Sequence, residues 1–510
     1  MRTSPRNRPD NRKEWTMTTK LSLATLDAVE KTAGVPAYGR GDLAAGIVHF
    51  GVGNFHRAHQ AVYLDDLFNL GLDHDWAIIG AGVLPSDAAM RDKLAGQDFL
   101  TTVVEQDNNR SGARVTGAMI GYLAPGNAAA TIAQLADPAI RIVSLTITEG
   151  GYFINPASGV FDPAHPAIAA DAAQPADPKT VFGLILAGLK ARKDKGIAPY
   201  TVMSCDNIPG NGEVTHAAVS GLARLSDPDL ADWIDANVAF PNGMVDRITP
   251  ATGPREIGIV AEEYGIDDAW PVFCEEFKQW VLEDHFPQGR PALEKVGVQF
   301  VPDVAPYEHM KIRILNGGHA AIAYPAALLD IHFVHEAMED PDIRAFLAKL
   351  EREEIIPVIP PVPDTDLNDY FSLIERRFSN PKIADTIPRL AQDGSNRQPK
   401  FILPSTADRL SRGEDVIGLS LVSALWCHYL AGTTDSGKDI AFNDPNIERV
   451  RAAATAAKSD PGAFLALKDI FGTVAASDLF AGRFAHALRS LQQEGTRATL
   501  KAYLDDRLVN

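Results

Sequence analysis

The sequence predicts an α/β Rossmann-type N-terminal domain followed by a mainly α-helical C-terminal domain. From about residue 45 to 205, short apolar or β-branched runs alternate with helix-like stretches, the pattern of βαβ units and a mostly parallel sheet. Beyond about residue 290 those runs give way to Ala- and Leu-rich segments of helical pattern. The composition agrees in scale: 510 residues, 45% hydrophobic and 22% charged, suit two or three globular domains and no fibrous or disordered class.

Residues 1–20 read as a disordered extension. They are basic and polar, with Arg2, Arg6, Arg8, Arg12, Lys13 and Lys20, and lack the apolar h-region of a signal peptide. Met17 is a candidate true start, because regular patterning begins only after it. Residues 21–294 form the expected dinucleotide-binding domain, and residues 295–510 the helical, substrate-binding one. In the first, Gly46–Phe50 (GIVHF), Trp76–Val83, Phe99–Val104, Arg141–Thr148 and Tyr200–Ser204 read as strands. Helices are expected near His56–Leu70 and Val181–Lys193. Pro/Gly/Asp-rich pieces near 155–180 and 240–256 read as loops or small insertions. In the second, Lys311–Leu329 and segments 341–355, 415–431, 444–457, 461–471 and 474–508 read as helices.

The first motif is Gly51-Val52-Gly53-Asn54-Phe55-His56-Arg57, directly after the first strand. Glycines there let the chain turn tightly and approach a pyrophosphate, and the next helix offers free N–H groups to it. His56 stands at the third glycine position of GxGxxG, so its ring is expected to hold the helix away from the strand. An ordinary βα turn is the competing reading; the place between strand and helix favours the nucleotide. Selection of NAD over NADP asks for an acid after the second strand, and Asp87 is the one at hand. Asp87 can equally cap the helix that begins there.

The second motif is Lys311-Ile312-Arg313-Ile314-Leu315-Asn316-Gly317-Gly318-His319. On an α-helix Lys311, Asn316 and His319 span an arc of about 140° and can share a face. A lysine that sheds its proton serves as a general base. An amide beside it can donate to a developing alkoxide, and a histidine can bind a neighbouring hydroxyl. A solvated lysine, a capping asparagine and a core histidine are the bland alternatives. Two adjacent glycines inside a helix cost about 1 kcal/mol each against alanine, which suggests close approach by a ligand or another backbone. Asn207, in Ser204-Cys205-Asp206-Asn207-Ile208-Pro209-Gly210, ends a strand where α/β sheets bind ligands. In Phe240–Pro250, Asp246 and Arg247 form either an ion pair or, for Asp246, a side chain aimed into the site.

A net charge of -18 argues against nucleic acid. Cys205, Cys274 and Cys427 stand far apart, with no CxxC pair, which points to a reducing compartment and a cytoplasmic location. The cysteines do not cluster with histidines, so no metal site is expected. No apolar run is long enough for a membrane helix.

GVGNFHRAHQ, TEGGYF (148–153), SCDNIPGNG, FPNGMVDRITP and KIRILNGGHA occur in the order and spacing of the polyol-specific long-chain dehydrogenase/reductase family, which the chain resembles from about residue 40 to 500. The resemblance implies a Rossmann-type domain, a helical domain and an active site between them. It implies reversible, zinc-independent, NAD-dependent oxidation of a polyol, D-mannitol to D-fructose, with Lys311 as acid–base and Asn207 and Asn316 holding the oxyanion. It further implies His319, Asp246, Arg389 (in DTIPRL) and Arg397 as substrate-binding residues, and a monomer. Where the family usually carries lysine this chain carries Arg397, which changes the donor geometry near the sugar chain. Competing readings are a relative acting on D-arabinitol, D-sorbitol or a hexuronate, whose carboxylate Arg397 or Lys400 can meet, and a non-catalytic NAD-binding or sugar-sensing protein.

Overall fold

The structure, a computed structural model, describes residues 18–155 and 159–509. Most of the expected extension, residues 1–17 with Met17, lies outside the described residues. Its end does not fit that expectation: Thr19–Lys20 is a short strand paired in parallel with Ile266–Asp267. Leu21 follows it into full burial, and that apolar anchor explains the order.

The chain divides into two compact units, one running to Gln106 and from Ser111 to Phe300, the other comprising Asp107–Arg110 and the chain from Val301. The first is built on five strands: β1 (Ala45–Phe50), β2 (Ala77–Ala81), β3 (Met119–Tyr122), β4 (Ile142–Leu145) and β5 (Thr201–Ser204). Their order is β3-β2-β1-β4-β5 and every pairing is parallel. This is the doubly wound order whose carboxyl ends bind nucleotides. Val48, Phe50, Val143, Leu145 and Val202 are fully buried, each contributing roughly 1.5–3 kcal/mol by leaving water. Helix Val181–Lys195 covers the sheet, capped by Thr180, whose hydroxyl accepts from Gly183 N–H (3.0 Å), and ended by Gly196 in the left-handed region.

Three expectations need correction. Residues 99–104 do contribute a strand, Thr101–Gln106, but it belongs to a separate small sheet with Ser111–Thr116 and Val272–Glu275. The strand beside β2, at one edge of the main sheet, is β3 instead. The supposed loop 155–180 contains a helix at Pro166–Ala173, begun by proline at its first position. The supposed loop 240–256 contains a fully buried strand, β6 (Gly243–Asp246), antiparallel to Gln279–Glu283. Burial against a partner strand overrides the local Pro/Asn/Gly signals there.

The second unit is helical. The predicted helix at 311–329 is a π-helix over Lys311–Asn316 continued by α-helix Gly317–Leu328. Two further π-turns occur at Glu351–Ile355 and Gln398–Ile402. Helix Ile417–Tyr429 is buried almost all round. The predicted 474–508 segment is split by Gly495 (φ 81°) into Asp478–Glu494 and Thr496–Leu504.

Candidate active site

Gly51 has φ 93°, and a Cβ on it would stand 2.0 Å from Thr146 O. No side chain fits there, because the turn after β1 lies directly on the end of β4. A Cβ on Gly53 would meet nothing nearer than Gly51 O at 3.9 Å. The outer face of the turn is thus open to a ligand, and the first helical N–H groups follow at Asn54–Ala58. This geometry fits a dinucleotide pyrophosphate. The helix breaks at His59 (φ -122°, ψ -87°) before Gln60–Asn69 resumes. His56 is buried and stacks on His49 of β1, with ring centroids 3.5 Å apart. An imidazole pair therefore fills the helix–strand gap that a third glycine would close.

The other residues of the motif face inward. Asn54 donates to Pro250 O (3.1 Å) and Thr252 Oγ1 (2.9 Å), and its oxygen accepts from Arg57 (2.8 Å). Arg57 is buried and also donates to Gly53 O and Trp270 O. Phe55 stacks on His59. These side chains brace the turn, leaving its backbone to face a cofactor. Asp87 Oδ2 accepts from both Val83 N–H and Leu84 N–H at 2.8 Å, capping helix Pro85–Ala95. Among the described residues Oδ1 accepts no hydrogen bond, so the capping and ribose-binding readings are compatible.

At the ends of β4 and β5, Asp206 ties two loops together. Its Oδ2 accepts from Ile147 N–H (2.8 Å) and the Tyr152 hydroxyl (2.6 Å), and its Oδ1 from Thr148 N–H (2.9 Å). Burial pushes its pKa up, against the pull of those donors. Thr148 sits at φ 63°, ψ 164°, a region essentially reserved for glycine that costs about 1–3 kcal/mol. Asn207 follows Asp206 and is exposed. Asn211 is fully buried; its amide donates to Asp206 O (3.1 Å) and Gly243 O (2.7 Å), and its oxygen accepts from Gly243 N–H (2.9 Å). Asp246 ends β6, 5% exposed. Arg247 donates to Glu275 O, Ala58 O and Glu105 Oε1, and pairs ionically with Glu105.

In the second unit Lys311 (6% exposed) and Asn316 bound the π-turn. Its i→i+5 bonding brings residues five apart nearer one face than the roughly 140° separation of an α-helix. His319 lies one turn on, 8% exposed, stacked on Phe378 at 4.0 Å between ring centroids. Asn316 Oδ1 and His319 Nε2 are buried without a hydrogen-bond partner among the described residues. Burial is the main cause that lowers the His319 pKa to about 3; Asp385 opposes it, while Arg389, Arg377 and Arg397 reinforce it. Those charges gather around the imidazole, so Arg389 and Arg397 share its neighbourhood. Arg389 is held by Asp385, its Nε donating to Oδ1 at 2.6 Å. Arg397 donates to Leu390 O (2.6 Å). The glycine pair is explained by protein neighbours: Cβ atoms on Gly317 and Gly318 would each stand 3.3 Å from an oxygen, Phe401 O and Glu351 Oε1 respectively. Both neighbours belong to the other π-turns.

The description "Mannitol dehydrogenase Rossmann domain" matches residues 45–295, and "Mannitol dehydrogenase C-terminal domain" matches residues 303–492. The chain belongs to the mannitol dehydrogenase family. A mannitol 2-dehydrogenase of Cereibacter sphaeroides is 61% identical over 470 residues, 92% of this chain and 98% of that protein. One from Aspergillus oryzae is 43% identical over 487 residues, 94% and 97%. A Pseudomonas fluorescens mannitol 2-dehydrogenase, solved as a ternary complex with NAD and D-mannitol, superposes with TM-score 0.85 at 45% identity, covering 96% of this chain and 100% of that one. A substrate-free D-sorbitol dehydrogenase superposes with TM-score 0.87 at 35% identity, covering 94% and 100%.

For a family member, the residues that sequence reasoning missed are supports. Asp206, Asn211 and Phe378 make contacts across the fold, whereas Asp385 pairs with Arg389 four residues on; Asp206 and Asn211 lie in SCDNIPGNG and Asp385 in DTIPRL, and Phe378 alone carries no local sign. Among the described residues, no three His, Cys, Asp or Glu side chains gather to hold a metal. The three cysteines are each buried and free, and no described helix is long and apolar enough to cross a membrane.

Proposed function

We propose that the protein oxidises D-mannitol at C2 to D-fructose, reversibly and with NAD, without a metal. The observation that carries this is the set Lys311, Asn316 and His319 on one buried helix, two of them with polar atoms lacking partners. Unsatisfied buried groups are costly and are expected where a substrate supplies the missing bonds. NAD supplies the hydride acceptor; the turn at Gly51–Gly53 would hold its phosphates and Asp87 Oδ1 the adenosine ribose.

In this reading the neutral Lys311 amine takes the C2 hydroxyl proton, and acts as acid in the reverse direction. The Asn207 and Asn316 side-chain amides donate through their N–H groups to the oxygen as negative charge builds, and Asn316 Oδ1, which has no partner among the described residues, accepts from a substrate hydroxyl. His319, held neutral by burial, hydrogen-bonds a neighbouring hydroxyl. Asp246, Arg389 and Arg397 bind the rest of the chain of hydroxyls. The reading includes a monomer in the cytoplasm with no nucleic-acid partner; three free cysteines and a charge of -18 support the last two.

Turnover on D-mannitol, D-arabinitol, D-sorbitol and D-mannonate with NAD and NADP tests it. D-mannitol with NAD is expected to give the highest kcat/KM. A tenfold preference for D-sorbitol or D-mannonate, or for NADP, would overturn the assignment.

A further inference from the structure

We propose that Asp206 is a positioning residue for the reaction: it clamps the Thr148–Phe153 loop in a strained form and so sets the aim of Asn207. The inference rests on the dehydrogenase reading and extends it to a residue that touches no reactant.

Three features carry it. First, the side chain joins two adjacent strand ends. Both carboxylate oxygens accept main-chain N–H groups leaving β4, at Ile147 (2.8 Å) and Thr148 (2.9 Å), while the residue itself follows β5. The carboxyl ends of neighbouring strands are where open α/β sheets present ligands. Second, the clamped segment would not adopt this form unaided. Thr148 has φ 63° and ψ 164°, and Phe153 at the loop's other end has φ 52°. A β-branched residue holds such a conformation only where its surroundings over-determine it. Asp206 supplies that constraint at Thr148 N–H, and through the Tyr152 hydroxyl (2.6 Å) it reaches the loop's far side. Third, the backbone of Asp206 is fixed at both ends. Its N–H donates to Ser204 Oγ (3.2 Å), and its carbonyl accepts from Ile208 N–H (2.9 Å) and the Asn211 amide (3.1 Å). Asn207, an exposed residue, is thereby suspended between anchored neighbours that fix where its backbone starts and ends. A catalytic amide must be held to a fraction of an ångström to act on a developing charge.

The test is Asp206→Asn in the full-length protein, which keeps the shape but puts an N–H₂ where one of the two main-chain donors needs an acceptor. With NAD and D-mannitol saturating, kcat is expected to fall at least about tenfold. NAD affinity, read from quenching of protein fluorescence, is expected to stay within about threefold, because the turn at Gly51–Gly53 is untouched. Adding Thr148→Gly to D206N removes the need for the clamp and is expected to restore kcat by about threefold or more. A wild-type kcat in D206N overturns the proposal. So does a loss of NAD affinity as large as the loss of kcat, or a double variant no faster than D206N. Should D206N fail to fold, Tyr152→Phe takes its place: a loss of kcat of about threefold with unchanged NAD affinity supports the clamp, and an unchanged kcat overturns it. A wild-type protein inactive on all polyols would defeat the dehydrogenase reading instead, and is told apart by measuring it first.

Discussion

Lys311 and Asn316 stand five residues apart, Lys311 buried and Asn316 half-buried with its Oδ1 shielded from water. Asn316→Ala removes one oxyanion donor; kcat is expected to drop about 10²–10³-fold with mannitol KM changed much less. Arg397→Lys exchanges a planar fork for a point charge. It is expected to raise mannitol KM by several-fold and to leave kcat nearly unchanged, since Arg397 acts on the substrate chain rather than the reacting oxygen. Initial-rate kinetics with NAD in excess check both. The spacing of Lys311, Asn316 and His319 beside two glycines singled them out in the sequence, but each alone has a bland reading, and the roles proposed for them came from the family resemblance. Their supports were not singled out there. The Asp385–Arg389 pair is local, four residues apart, but the stacking of Phe378 on His319 joins positions 59 residues apart in the chain.

At the scale of elements, the βα turn and the π-turns decide what the site can be. Gly51→Ala places a methyl 2.0 Å from a main-chain oxygen at φ 93°, which no rotamer relieves. NAD affinity is expected to fall at least about tenfold, with a stability loss above about 1 kcal/mol; fluorescence titration and thermal unfolding measure both. Glu351, in the π-turn facing Gly318, is fully buried with neither oxygen bonded among the described residues, and burial alone pushes its pKa well above 4.5. A raised folded pKa means its contribution is fully present below about pH 4.5 and declines as pH climbs. Glu351→Gln is therefore expected to match wild-type Tm near pH 5 and exceed it at pH 8. The π-turns were illegible from periodicity, because the apolar spacing of 311–329 fits a plain α-helix, whereas the structure has a π-turn over Lys311–Asn316 directly before the closely packed Gly317 and Gly318. Strand β3 was missed for a similar reason: four residues interrupted by Gly121 show no alternation, yet Gly80 and Ile79 of β2 pair with it.

Across the whole molecule the buried imidazoles set the acid limit. Burial is the leading cause that holds His49, His59 and His319 to pKa values of about 3. The unfolded value is about 6.5, so the unfolded chain binds more protons as pH falls from 6.5 toward 3. Stability is full above pH 6.5 and drops below it, by on the order of 2 kcal/mol per imidazole at pH 5. Thermal unfolding between pH 5 and 7.5 is expected to show a steep fall in Tm on the acid side; a flat profile would contradict the burial of these rings. The parallel sheet and the helical unit were readable from runs and composition, since both depend on many residues at once. The short strand at Thr19–Lys20 was not, since polar residues at a basic tail pair only because Ile266–Asp267 offers an edge.

The central claim is that the Lys311 amine moves the proton. The most direct measurement is kcat/KM for D-mannitol with NAD from pH 5.5 to 10, for the wild type and Lys311→Ala, with folding and NAD binding verified in both. The wild type is expected to rise with pH through one dominant ionisation, and the variant to be about 10²–10⁴-fold slower with that ionisation gone. A folded, NAD-binding Lys311→Ala protein that keeps the wild-type profile within a few-fold would contradict the account.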